Sequence, residues 1–153
     1  MVQDPAHQEP AGACKRSGGC LCGAVRYAID GPVKQVVACH CSMCRRQTGH
    51  ILATIDAWHA HFRLIEDSGL HWFQSSRESR RGFCKTCGSV LFFETLGSGK
   101  ISITAGTLDE DADLSLVAHI FVGDKADYYA IDDDVPQHVA GDDGIPMPER
   151  PTR

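Results

Sequence analysis

Seven of the chain's eight cysteines fall in three short clusters: Cys20-Leu-Cys22, Cys39-His-Cys41-Ser-Met-Cys44 and Cys84-Lys-Thr-Cys87. A cysteine thiolate is a soft anionic donor, and Zn²⁺ takes four of them tetrahedrally at about 2.3 Å. CxC and CxxC spacing fits metal ligation better than disulfide pairing. Residues two apart on a strand share a face, so Cys20 and Cys22 can reach one ion from extended chain. Cys84 and Cys87 suit a tight turn, with Gly88 just after them to accept an unusual backbone angle. Seven ligands fill one closed four-ligand site and leave a three-cysteine site with a vacant position, which is what catalytic zinc requires. Zinc with three thiolates is a modest Lewis acid. Its natural task is to take up a further thiol and keep it ionised at neutral pH. Spacing alone does not say which clusters combine. Cys14 stands outside any spaced pair and reads as a free thiol, or as a fourth ligand should its segment fold back.

Several residues beside the clusters bear on that chemistry. Arg45 and Arg46 follow Cys44 directly, and guanidinium groups bind carboxylates through two parallel hydrogen bonds. His40 lies between two ligands on an alternating segment, so it points away from the metal and serves a supporting role. His119 reads as a hydrogen-bonded, partly buried imidazole within a strand, and His59 and His61 as surface groups. Trp58 and Trp72 read as core. The hydroxyls of Ser42 and Thr48 are expected to bond nearby backbone.

The elements that must carry these residues are short strands. Cys20 to Ile29 alternates Val25, Tyr27 and Ile29; Val33 to Cys39 is rich in β-branched residues. Further strands are expected over His50–Ala57, His61–Ile65, Leu70–Gln74, Val90–Glu94, Lys100–Ala105, Leu116–Val122 and Tyr128–Ile131. Ser17-Gly18-Gly19, Asp30-Gly31-Pro32, Asp67-Ser68-Gly69 and Gly97-Ser98-Gly99 mark turns, and the polar stretch Ser75 to Arg81 reads as a loop. The Cys39–Cys44 segment is a loop, or a loop entering one helical turn. The class is all-β, with no helix of regular length.

A chain of 153 residues suits one domain. Residues 1–16 are expected to form a disordered arm, 17–139 the zinc-binding domain and 140–153 a disordered tail. No apolar run reaches the ~18–20 residues of a membrane span, and the polar start is no secretory signal. Both favour a reducing, cytoplasmic setting in which thiols stay free. The net charge of −5 is unevenly spread, the ligand region being mildly basic and the stretch from Ile101 to Glu149 strongly acidic. A mixed solvated surface explains this, and no dense basic stripe for nucleic acid is present.

Gly18-Gly19-Cys20-x-Cys22-Gly23-Ala24-Val25, then Cys39-His40-Cys41-Ser42-x-Cys44-Arg45, then Phe83-Cys84-x-x-Cys87-Gly88-Ser89 resemble the glutathione-dependent formaldehyde-activating enzyme family, which also contains a centromere-associated protein. Ile103-Thr104-Ala105-Gly106-Thr107-Leu108-Asp109 and the close from Ala118-His119-Ile120-Phe121 to Pro136-Gln137-His138 are similar to further family segments. Where family members tend to carry Trp near the end, this chain has Tyr128-Tyr129. The resemblance implies a tent of coiled antiparallel sheets gathered on zinc, the Mss4-like fold. It implies that Cys20, Cys22, Cys84 and Cys87 hold a structural zinc and that Cys39, Cys41 and Cys44 form a labile, catalytic zinc site. It implies a carbon–sulfur lyase or synthase acting on a glutathione adduct, such as formation of S-hydroxymethylglutathione from glutathione and formaldehyde. Arg45 and Arg46 would then hold glutathione carboxylates. The competing expectation is a non-catalytic zinc module that binds a macromolecular partner. The partner expected is a small thiol, with no nucleic acid and no membrane.

Overall fold

The computed structural model describes residues 15–111, 113–142 and 144–152. Ten strands and one helix succeed one another: β1 Lys15–Gly19, β2 Arg26–Asp30, β3 Val36–Cys39, α1 Ser42–Thr48, β4 Leu52–Trp58, β5 Phe62–Glu66, β6 Leu70–Gln74, β7 Ser79–Cys84, β8 Val90–Thr95, β9 Lys100–Thr104 and β10 Leu116–Ile120. Three single 3₁₀ turns link some of them. The strands form a three-stranded sheet, β1-β2-β5, and a seven-stranded sheet, β10-β3-β4-β9-β8-β7-β6. The fold is mostly β, as the short alternating runs predict. Among the described residues, all pairings between these strands are antiparallel save β10 beside β3, which run parallel.

The core lies where the two sheets face each other. Tyr27 and Ile29 on β2 alternate inward with no exposed surface, against Ile55, Leu91, Ile101 and Ile103 of the larger sheet. Burying each such side chain contributes roughly 1.5–3 kcal/mol. Tyr27 keeps its hydroxyl satisfied by Thr107 Oγ1 at 2.8 Å. Gly18 presses against it: a Cβ there would stand 2.3 Å from the Tyr27 oxygen. Trp72 stacks on Phe92 at 5.9 Å and belongs to this core.

Four local expectations change. Ser17-Gly18-Gly19 is not a turn but the end of β1, paired with β2. Ser79, Arg80 and Arg81 are not loop but the start of β7. Polar side chains suit this strand because Arg80 pairs with Glu94 across the ladder (2.5 Å) and lies 4.1 Å over the Trp72 ring. Tyr128–Ile131 forms no strand; the two tyrosines instead pack on His40 and His50. The helix α1 is two turns long, capped at its C-terminus by Gly49 in the left-handed region (φ 85°).

The predicted arm of residues 1–16 lies outside the described residues up to 14, Cys14 included, while Lys15 and Arg16 open β1. The described part of 140–152 has no strand or helix. It does make contacts: Trp58 Nε1 donates to Pro148 O at 3.0 Å, the Arg150 guanidinium lies 4.9 Å over the Trp58 ring, and Asp142 pairs with Lys34.

Candidate functional site

Cys20, Cys22, Cys84 and Cys87 converge, with their sulfurs all within 4.8 Å of one another. Cys20 to Cys22 is 3.6 Å and Cys22 to Cys84 is 3.8 Å. Four sulfurs about 2.3 Å from a tetrahedral zinc would sit about 3.8 Å apart, so the donor set fits the ion. Cys20 and Cys22 do not meet by strand alternation. Chain reversal at Gly23 (φ 81°), with Gly23 N–H donating to Cys20 O at 3.2 Å, turns both sulfurs inward. The Cys84–Cys87 turn is as expected: Gly88 has φ 79° and donates to Cys84 O at 2.8 Å. The Ser89 hydroxyl and amide stabilise the Cys87 thiolate and pull its pKa down to about 5.

Cys39, Cys41 and Cys44 form the second group, again within 4.8 Å. Cys39 ends β3, Cys41 is the N-cap of α1, and Cys44 lies in its first turn, donating its amide to Cys41 Sγ at 3.4 Å. Hydrogen bonds from Cys39 and Cys44 hold the Cys41 thiol well below its ordinary value, while Cys39 is pushed up, chiefly by its hydrogen bond to Cys41. All seven described cysteines are free of disulfides.

His40 is fully buried and turned away from the sulfurs. Its Nε2 meets His119 Nδ1 at 2.8 Å, and its Nδ1 meets the Tyr129 hydroxyl. His119 Nε2 in turn meets the Asp133 carboxylate at 3.0 and 3.1 Å. A carboxylate only accepts, and for neutral rings this sets the direction of the chain. His119 Nε2–H donates to Asp133, His40 Nε2–H donates to His119, and the Tyr129 hydroxyl donates to His40. Burial, then His119, lowers the His40 pKa and keeps the ring neutral. Both His40 nitrogens are engaged, so it supports the knuckle rather than ligating.

The three-cysteine cluster opens on a cleft of about 320 Å³, whereas none of the four other cysteines lines it. Alternate β4 residues Leu52, Thr54 and Asp56 form its floor, and Phe121, held in the left-handed region (φ 54°) by donating its N–H to Ala140 O at 2.9 Å, forms part of a wall. Arg81, 5% exposed, enters beside the cluster. Its Nη1 lies 3.6 Å from Cys44 Sγ and 3.1 Å from Gln47 Oε1, and the guanidinium sits 5.0 Å from the Phe93 ring centroid. It places a buried positive charge against the cysteine cluster.

The model of the glutathione-dependent formaldehyde-activating enzyme family matches residues 15–124. The chain belongs to that family. It is also 26% identical over 113 residues to an uncharacterized lyase of Schizosaccharomyces pombe, a match covering 73% of this chain and 82% of that protein. A crystal structure of a Rhodobacter sphaeroides protein overlaps 61% of this chain and 87% of its own, at 24% identity and a TM-score of 0.48.

Within this family member, the seven predicted ligands come together in the two predicted groups, each able to hold a metal ion. Arg45 and Arg46 do not line the cleft. Helical geometry explains this: residues one and two positions beyond Cys44 are turned roughly 100° and 200° from it. Arg46 borders an adjoining cavity of about 480 Å³ together with Met43 and Arg81. Thr48 bonds Cys44 O at 3.0 Å, as expected for a hydroxyl near a knuckle. Arg81, Lys34 and Lys100 escaped the sequence reading. Arg81 carried one signal, alternation with the half-buried Phe83 just before Cys84; the two lysines carried none.

Proposed function

We propose that this chain is a zinc-dependent carbon–sulfur lyase or synthase acting on a glutathione adduct, forming S-hydroxymethylglutathione from glutathione and formaldehyde. The observation that carries the reading is the asymmetry of the clusters: the three cysteines line the charged cleft and none of the four others does. Family membership and the lyase name of the yeast relative support it. On this reading Cys20, Cys22, Cys84 and Cys87 hold a structural zinc, and Cys39, Cys41 and Cys44 a labile catalytic one.

Zinc bound by three thiolates would keep an incoming thiol ionised at neutral pH. The chain's own residues do the rest. Arg81 offsets the negative charge that gathers around Cys44. The apolar cleft walls, Leu52, Ile120 and Phe121, exclude water from the sulfur. Arg46, on the adjoining cavity, offers a guanidinium to one carboxylate of glutathione, with Arg45 beside it. In the net reaction the thiolate sulfur forms a bond to the formaldehyde carbon. The carbonyl π pair moves to oxygen, which takes the proton the thiol released. Free cysteines suit a reducing cytoplasm.

The test is the rate of S-hydroxymethylglutathione formation, followed by proton NMR of the new methylene against the uncatalysed background. Acceleration by zinc-loaded protein, lost in Cys41→Ser, supports the reading. A folded, zinc-loaded protein that gives no acceleration, with glutathione leaving the metal at the second site unperturbed, sinks it.

A further inference from the structure

The far end of the cleft carries charges that the proposed chemistry leaves unused. Leu52, Thr54 and Asp56 share one face of β4, and Leu52 pairs with Cys39. Asp56 therefore lies about 13 Å along the floor from the cysteine end, at about 3.3 Å per residue. Lys34, only 3% exposed, stands there, 3.6 Å from the Asp56 carboxylate. Lys100 approaches the same carboxylate at 3.7 Å, and Ser102 Oγ donates to it at 2.5 Å. Two lysines against one aspartate leave a surplus positive charge inside a cleft. That surplus is met by a carboxylate from 108 residues away: Asp142 pairs with Lys34. Asp142 sits on a segment with no strand or helix, and its side chain is 37% exposed.

A buried ammonium holds a carboxylate strongly only where both are desolvated, and a half-exposed partner on an irregular segment is readily exchanged. We infer that Lys34, supported by Lys100, is a carboxylate subsite for the thiol substrate, and that Asp142 occupies it until substrate arrives. The inference rests on the reading of the three-cysteine cluster as a thiol site. It adds a constraint on the substrate: sulfur and carboxylate must lie on the order of 10 Å apart, the reach of about three extended residues. A peptide-sized thiol satisfies this; a short mercapto acid does not. The two ends of the cleft then select for length as well as charge.

The experiment loads the full-length chain with cobalt(II) and follows the sulfur-to-cobalt absorption on titration with glutathione, 3-mercaptopropionate and 2-mercaptoethanol. Removing the internal competitor raises the fraction of open subsite and lowers the apparent dissociation constant in proportion. Asp142→Asn should tighten glutathione by about threefold or more and leave the two short thiols within error. Lys34→Gln should sharply reduce the preference for glutathione over 2-mercaptoethanol, Arg46 keeping its own carboxylate, and Lys34→Arg should keep it. Thermal melting and cobalt uptake establish that each variant is folded. Asp142→Asn keeps the test decisive should Lys34→Gln fail to fold. Glutathione unchanged or weakened in Asp142→Asn overturns the inference alone, as does an equal gain for all three thiols. Absence of any thiol-induced change in the wild type overturns the parent reading, and the inference with it.

Discussion

The two cysteine clusters use the same ligand chemistry and differ in what they tie together. Cys20 and Cys22 lie in the turn between two strands of the small sheet, while Cys84 and Cys87 close a turn between two strands of the large one, 62 residues apart from Cys22 to Cys84. Cys39, Cys41 and Cys44 are neighbours in sequence, gathered by the junction of one strand and one short helix. Metal at the first site would hold a long-range contact and add its binding energy to the fold. Metal at the second would find donors that local structure has already assembled. The difference teaches that the ligand count is only half of the assignment, and that the span of chain closed by the ligands is the other half.

The sharpest way to break this comparison is Cys84→Ser. It removes one of four donors from the long-range site, and the expected outcome is insoluble or unfolded protein, read by circular dichroism and zinc content. An unchanged melting temperature would end the contrast. Next in size is Cys41→Ser. The domain should stay folded with its melting point nearly intact, while bound zinc falls by about one per chain and thiol-dependent chemistry disappears. Arg81→Met comes third. With its charge gone, the local cluster should release metal about tenfold more readily, the scale of supporting residues around metal sites, and Arg81→Lys should recover part of the loss. Competition with a chromophoric chelator measures it. If metal retention is unaffected, Arg81 packs rather than compensates charge.

Two smaller effects sharpen the picture. Truncation after Ile145 removes the Trp58–Pro148 hydrogen bond and the Arg150 contact, for an expected loss of about 1–2 kcal/mol in a denaturant melt. Zinc content should not change. The smallest concerns a polar tie of the small sheet, in which Asp109 accepts from Arg26 at 3.0 Å and from Ser17 at 2.6 Å. Arg26, then Ser17, lowers the Asp109 pKa. A depressed carboxylate stabilises the fold above its unfolded pKa, and the contribution is lost as pH falls through the lower folded value. Asp109→Asn should therefore narrow the gap between melting temperatures at pH 6 and below pH 4. Because the pair is exposed, added salt should shrink the effect.

Much of the site was legible because its signal is local. Cysteine spacing located the ligands, Gly88 announced the turn that joins Cys84 and Cys87, and alternation at Val25, Tyr27 and Ile29 marked the buried strand. Which clusters combine came from family resemblance, since spacing carries no long-range information. What stayed hidden is long-range or carried by polar residues. Ser79, Arg80 and Arg81 look like a loop until Glu94 and Trp72 stand across from them. Lys34 and Asp142 meet over 108 residues, and no periodicity links them. Arg45 and Arg46 were placed correctly beside the cluster in sequence, but helical rotation carries them off the cleft.

The histidine chain beneath the three-cysteine knuckle has a thermodynamic consequence. Because His40 is buried, tied through His119 to Asp133 and through its other nitrogen to Tyr129, the residue between Cys39 and Cys41 is ordered by the fold itself. Ordering a free loop around an ion costs about 1–2 kcal/mol per residue of backbone entropy. Here that cost falls within folding, so ion arrival leaves the loop's disorder unchanged. A claw held open in its gripping shape would bind an ion and release it without the scaffold relaxing in between, so that exchange there would run at the pace of ligand chemistry rather than of chain motion.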